Sequence, residues 1–355
     1  MAKILIKNGK IWDGEKFFFG DVLTNDNFVE KMDASINDQA EYVYEAEGRI
    51  VSAGLVDIHV HLKGISLEQF GIQAEMSSFP FGVTAVNDAG SVHGDKTLLD
   101  YLAVKSTVFV AAEIKNNHAR LENTQKCLKK YGDKAVGIKI YFDKTVSEVS
   151  DITALKEVCA YANDRKLKVM VHCSNSPVSM KEIVKTLSSG DILTHAFHGG
   201  ESMCTEDDFE ALRLAKQKGV VIDAGFAGHV HTDFSVLSKA VRSGLLPDTI
   251  STDITRLSAY KRGGRYGMTM CMSLARLAGM SEEDIFKAIT STPAKALGKK
   301  NEWGCLKEGR VADLAVFDYS DEGFELTDNA GNRVASDKGY RCVLTIADGD
   351  IVYRR

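Results

Sequence analysis

Hydrophobic and polar positions divide the chain into three stretches. Residues 1–53 carry short apolar–polar runs broken by turn residues. Lys3-Ile4-Leu5-Ile6-Lys7 reads as a strand, Asn8-Gly9 as a turn, and Lys10-Ile11-Trp12 as the strand resuming. Asn-Gly is a hairpin signal because both residues accept positive φ. Residues 301–355 share this style. Asp313-Leu314-Ala315-Val316-Phe317 and Val343-Leu344-Thr345-Ile346 read as strands, and Asp348-Gly349 as a hairpin turn before Ile351-Val352-Tyr353. The two ends together predict one small β-sandwich domain.

Between them, over residues 54–300, short apolar runs alternate with helical periodicity. The predicted strands are residues 54–58, 84–88, 108–112, 135–140, 168–172, 191–195, 220–223 and 249–253. Continuous apolar runs suit strands covered on both faces. Helical patterns such as 151–163 and 205–218 follow several of them. Eight alternating units predict an α/β fold, a (β/α)8 barrel, which places chemistry at the C-terminal strand ends.

Those ends hold a consistent set of residues. The first run ends in His59-Val60-His61, the fourth carries Lys139, the fifth ends in His172, the sixth in His195 and the eighth in Asp253. Residues two apart on a strand share a face, so His59 and His61 can grip one ion. Imidazole and carboxylate suit Zn2+ and related divalent metals. An ammonium binds no metal. A lysine among apolar neighbours beside divalent charge loses its proton, however, and the free amine can take up CO2 as a carbamate.

Each residue also has a plain reading. An isolated His-x-His is common in cores and on surfaces, a strand lysine can snorkel, and Asp253 can cap a helix. Convergence on one barrel mouth favours the metal reading. His229 and His231 form a second His-x-His, read as a polar loop after the seventh strand with substrate contact as the alternative. His93 and His118 also follow strands but receive no role. Asp57 is placed to orient a metal-bound histidine.

Composition narrows the function classes. The formal net charge of −5 argues against nucleic acid as the main partner. No apolar run approaches the roughly 20 residues of a membrane span, and the run at Ile4-Leu5-Ile6 is too short for a signal peptide. The 7 cysteines are odd in number and form no CxxC, which predicts free thiols and a reducing cytoplasm.

The set Asp57-Ile58-His59-Val60-His61, Lys139, His172, His195 and Asp253 resembles the amidohydrolase superfamily. So do Gly54-Leu55-Val56-Asp57, Ser291-Thr292-Pro293-Ala294 and residues 304–313 entering the last β segment. The resemblance implies two divalent metal ions, with Zn2+ the first expectation from ligand type. His59, His61 and Asp253 would hold one ion, His172 and His195 the other, and a carboxylated Lys139 would bridge them. A bridging water would become hydroxide near neutral pH, and Asp253 would shuttle its proton to the leaving group.

Residues 246–255 and 136–139 look closest to a dihydroorotase-like group of deacetylases. Its members act on N-acetyl-D-amino acids or acetylated 2-hydroxy acids. Dihydroorotases proper follow the histidine pair with Leu-Arg, whereas here Leu62 precedes Lys63-Gly64. The expected activity is therefore hydrolysis of an amide or ester in a small carboxylate-bearing substrate. A cyclic amidase or nucleobase deaminase on the same site is the alternative, and a metal-free scaffold the remote one. Arg256, Tyr260 and His198 are the candidates for substrate contact; Ser258, Lys261, Arg262 and Arg265 lie in the same stretch as the first two. Barrels of this family often assemble, so a homo-oligomer is in keeping with it.

Overall fold

The computed structural model describes residues 3–229, 231–261 and 266–355, apart from the side chains at 229 and 261. At its centre is a parallel sheet of β1 (Leu55–Val60), β2 (Val83–Ser91), β3 (Lys105–Ala111), β4 (Ala135–Tyr141), β5 (Lys168–His172), β6 (Ile192–Thr194) and β7 (Val221–Ile222). The strands lie side by side in chain order. Their two faces bury different residues. Val56, Ile58, Ala85, Phe109, Met170 and Ile192 join one apolar cluster closed by Ala294, Leu297 and Trp303. Leu55, Val86, Val108, Ile138, Ile140, Val171 and Leu193 join a second, larger cluster that includes the helices. Burial on both faces is why these runs read as apolar throughout.

The eighth predicted run behaves differently. Residues 249–253 form no regular strand. They touch both edges of the sheet through isolated parallel bridges, Asp223 with Thr249 and Val60 with Ile254. The reason is local. Asp253 has φ 46°, which no extended ladder accommodates. The Thr252 amide donates to Asp57 Oδ1 at 3.2 Å, and the Thr252 hydroxyl to Asp57 Oδ2 at 2.6 Å. Backbone bonds then complete the attachment, from Asp253 N to His59 O at 2.7 Å and from Phe226 N to Ser251 O at 3.1 Å. Among the predicted helices, 151–163 is found as Thr153–Asp164. The second begins late, at Glu210–Lys218, because Asp208 and Phe209 take positive φ.

The strands of both termini form one sheet. Its order is Asp350–Arg354, Gly339–Ala347, Leu314–Ser320, Ile50–Ala53, Lys3–Trp12, Phe17–Asn25 and Phe28–Asp33, with Tyr42–Glu45 also pairing Lys3–Trp12. Ile50–Ala53 joins the ends, parallel to Lys3–Trp12 and antiparallel to Leu314–Ser320. Asp348-Gly349 makes the expected tight turn, with φ 49° and 85°. Asn8-Gly9 does not turn the chain. It is a bulge within one strand, where pairing shifts between Ile6 and Gly9. Gly9 is required there because a Cβ would lie 2.5 Å from Val51 Cγ2.

All seven cysteines are free thiols. Among the described residues, no helix is long and apolar enough to cross a membrane.

Asp57 accepts from the Thr252 hydroxyl, the Thr252 amide and the His59 amide, all buried. Asp57→Ala strands three donors, each worth roughly 1–3 kcal/mol. We expect a loss of at least about 3 kcal/mol in urea unfolding, with a smaller loss for Asp57→Asn, which keeps one acceptor oxygen.

Candidate active site

The predicted ligands converge where the strands end. His59 and His61 leave β1, Lys139 lies on β4, His172 closes β5, and His195 follows β6 with φ 63°. Asp253 and His195 both occupy the left-handed region that non-glycine residues rarely enter. Such strain is held in place only by surrounding structure. All six residues are buried.

Each histidine is turned by a hydrogen bond behind it. His59 Nδ1 lies 2.9 Å from Thr194 Oγ1, whose proton goes to Asp223 Oδ2 at 2.7 Å. His61 Nδ1 lies 2.9 Å from Ser66 Oγ, whose proton goes to Asp88 Oδ2 at 2.8 Å. His172 Nε2 lies 2.6 Å from Ser174 Oγ, which donates to Asp143 Oδ2 at 3.4 Å. For His59 and His61 the hydroxyl proton is committed to a carboxylate, and His172 Nε2 itself faces Asp143 Oδ2, which can only accept, at 3.2 Å. The facing oxygen must therefore accept from the imidazole, and the other ring nitrogen keeps its lone pair. His195 reaches the same state by donating from Nδ1 to Gly225 O at 2.7 Å. Gly225 allows that approach, since a Cβ there would lie 2.6 Å from His195 Nδ1.

The freed nitrogens of His59, His61 and His195 face Asp253. His59 Nε2 and His61 Nε2 lie 3.2 and 2.8 Å from Asp253 Oδ1, and His195 Nε2 lies 3.7 Å from Asp253 Oδ2. Asp253 Oδ1 and His195 Nε2 are nevertheless buried without a hydrogen-bond partner. Close approach without hydrogen-bond geometry is what ligands of a common cation show. Two atoms about 2.1 Å from one zinc at a tetrahedral angle sit about 3.4 Å apart. Among the described residues, two groups bring one possible ligand atom from each member within 4.8 Å of the others: His59, His61 and Asp253; and His172, His195 and His231. The donor set therefore fits divalent metal.

Electrostatics agree. Burial pushes His59 down to about 4 and His231 to about 3, and lowers His172 and His195 as well. Neutral imidazole is the form that ligates. Burial raises Asp253 and imidazolium charge at His59 and His61 lowers it, so the carboxylate is held ionised where positive charge faces it. Lys139 Nζ is fully buried, 3.0 Å from His59 Nε2 and 3.7 Å from Met170 Sδ. Burial draws its amine down to about 8, against the pull of Asp253 and Asp223.

The substrate candidates separate. Arg256 and Tyr260 line a cleft of about 710 Å3 with Lys63, His93 and Ser66, the hydroxyl behind His61. His198 does not line it. Its Nδ1 accepts from Gly200 N at 3.2 Å, and its Nε2 is buried without a hydrogen-bond partner. His118 faces Glu157 at 2.7 Å. Ser258 bonds locally to Thr255. Arg262 and Arg265 lie outside the described residues, as do the side chains of His229 and Lys261. Asp57 holds the His59 amide rather than a histidine ring. His231, taken from its pattern as a loop residue, joins the cluster. The orienting carboxylates Asp88, Asp143 and Asp223 were also missed; the only signal was their place at or just past strand ends.

A model of the amidohydrolase family matches residues 50–352. The chain belongs to the amidohydrolase family. It is a hydrolase of carbon–nitrogen bonds. This amidohydrolase is 29% identical to a deacetylase of Enterococcus faecalis over 98% of both chains. It is 28% identical to a deacetylase of Agrobacterium fabrum over 81% of this chain and 75% of that protein. Among solved structures, an adenine deaminase superposes with a TM-score of 0.87 at 26% identity, covering 100% of both chains. A dihydroorotase gives 0.87 at 23% identity, covering 100% of this chain and 98% of that one.

Removing the hydroxyl behind a histidine frees its ring without touching a ligand atom. Ser66→Ala and Thr194→Val should each weaken zinc binding by roughly 10- to 100-fold, read by competition with a chelator, while the circular dichroism spectrum stays unchanged.

Proposed function

We propose that this amidohydrolase is a binuclear metal deacetylase of small carboxylate-bearing substrates, N-acetyl-D-amino acids or O-acetyl hydroxy acids. Two ligand groups, with the fully buried Lys139 lying 3.0 Å from His59 of the first, carry this reading. The deacetylase name of relatives that match along most of the chain supports the substrate class. On this reading residues 54–300 are a (β/α)8 barrel, closed by the bridges of 249–254 to both sheet edges, and residues 1–53 and 301–355 form the smaller domain.

His59, His61 and Asp253 would hold one ion and His172 and His195 the other, with carboxylated Lys139 between them. Zn2+ is the first expectation from the imidazole-rich set. The carbamate forms when the neutral Nζ attacks CO2: an N–C bond is made and one proton is lost. Burial of Nζ favours the neutral amine this requires. When bound, the ions supply Lewis-acid polarisation of the scissile carbonyl and an acidified water. Asp253 then takes a proton from the attacking water on a carboxylate oxygen and returns it to the leaving nitrogen or oxygen. A cation shared with His59 and His61 would keep it ionised and ready to accept. Arg256 and Tyr260, in the cleft beside Ser66, are placed to bind the substrate carboxylate, and arginine does so in a two-bond fork.

The test is turnover by the zinc-loaded chain of N-acetyl-D-amino acids, acetylated hydroxy acids, dihydroorotate and adenine. Acetate release is expected from an acylated member. Turnover of dihydroorotate or adenine alone would replace the deacetylase reading. Asp253→Asn should lower kcat by roughly 10²- to 10⁴-fold with KM little changed. Lys139→Ala should lose activity and regain part of it with added short carboxylic acids, which can occupy the carbamate's place.

A further inference from the structure

His231 has no place in the ligand set that the family resemblance supplies, yet it stands inside the cluster. Its ring centroid lies 4.7 Å from that of His172 and 4.3 Å from that of His195. One ligand nitrogen from each of the three rings comes within 4.8 Å of the others. His231 Nδ1 lies 3.3 Å from Ser174 Oγ, the hydroxyl that also orients His172. One serine thus touches one nitrogen of each ring, and the other nitrogen of each is the one available to an ion.

The chain on either side of His231 is anchored. Before it, Ala227 N donates to Thr252 O at 2.9 Å. After it, Asp233 N donates to Phe197 O at 3.0 Å. Asp233 also caps the helix Phe234–Arg242, accepting from Ser235 N at 2.8 Å. These bonds tie the segment to Thr252, which precedes Asp253, and to Phe197, which follows His195. A solvated loop has no need of them.

Three neutral imidazoles are a complete protein ligand set for a divalent ion with one position left open. Two imidazoles alone are not, which is why the pair His172 and His195 would otherwise depend on a bridging carbamate. We propose that His231 is a third imidazole ligand on the His172/His195 side, so that this side retains a divalent ion without carboxylation of Lys139. The lysine carbamate then couples the two ions rather than holding the second one in place. This rests on the binuclear reading above and assigns one more residue to it.

The experiment uses the full chain, stripped of metal and titrated with Zn2+, with ion content and affinity read by mass spectrometry and chelator competition. In the double variant His61→Ala/Lys139→Met the first side loses a ligand and the carbamate cannot form. We expect it to keep about one ion per chain. Adding His231→Ala or His231→Gln should weaken that ion by more than the roughly 100-fold upper range for loss of an outer hydrogen bond. In Co2+-loaded protein, the visible ligand-field bands should change with His231→Gln. As a check free of the double variant's folding, His231→Ala in the otherwise native chain should weaken the second ion and spare the first. The inference is overturned if His61→Ala/Lys139→Met keeps no ion while folded, or if native and His231 variants bind two ions equally well. A native chain that binds no divalent ion at all overturns the binuclear reading with it.

Discussion

A buried neutral histidine carries one N–H and one lone pair, and both need an answer away from water. In this protein the N–H of each site histidine is given a fixed acceptor in the scaffold, and the lone pair is left facing the centre. Thr194 with Asp223, Ser66 with Asp88 and Ser174 with Asp143 repeat the same imidazole–hydroxyl–carboxylate chain from different strands. The Gly225 carbonyl does the same for His195. An array of unanswered lone pairs beside an ionised carboxylate is costly by itself. A bound cation removes that cost, so the energetic weakness of the site is also its affinity.

The surrounding fold makes the array affordable. Apolar side chains on both faces of the parallel sheet stabilise the strands independently of the polar ends. Asp57 spends its acceptors on Thr252 and the His59 amide, locking the irregular segment that carries Asp253 against β1. The left-handed conformations at His195 and Asp253 persist because hydrogen bonds on both sides hold them. Stability and chemistry are therefore separated along each strand: burial in the middle, strained and polar groups at the end.

Lys139 shows how one environment serves two purposes. The pocket that denies its amine a charge also gives it His59 as a neighbour and keeps bulk water away. With His231 added, the two ion positions draw on different residues, three imidazoles on one side and two imidazoles with a carboxylate on the other. The neutral set around His172 and the anionic set that includes Asp253 would then polarise the two ions differently. Such asymmetry suits a reaction in which one ion activates the carbonyl and the other the water.

Seven of the eight predicted strands, the parallel central sheet and the convergence of His59, His61, Lys139, His172, His195 and Asp253 at its strand ends were legible in the chain itself. Buried strands need continuous apolar runs, and a polar residue at the end of such a run stands out. The eighth segment was legible as a position but not as a conformation, because the departure at Thr252 and Asp253 comes from Asp57, 195 residues away along the chain. Asn8-Gly9 had the composition of a turn; the close approach of Val51 made it a bulge. His231 looked like a loop residue because nothing in Gly228-His229-Val230-His231 reveals what it packs against. The orienting carboxylates were hidden for the same reason. Local sequence determined which residues carry lone pairs and charge near strand ends. Only the tertiary structure decided which nitrogen of each ring faces inward, since that depends on groups the fold brings in: Thr194 for His59, the Gly225 carbonyl for His195, and Asp88 behind Ser66 for His61.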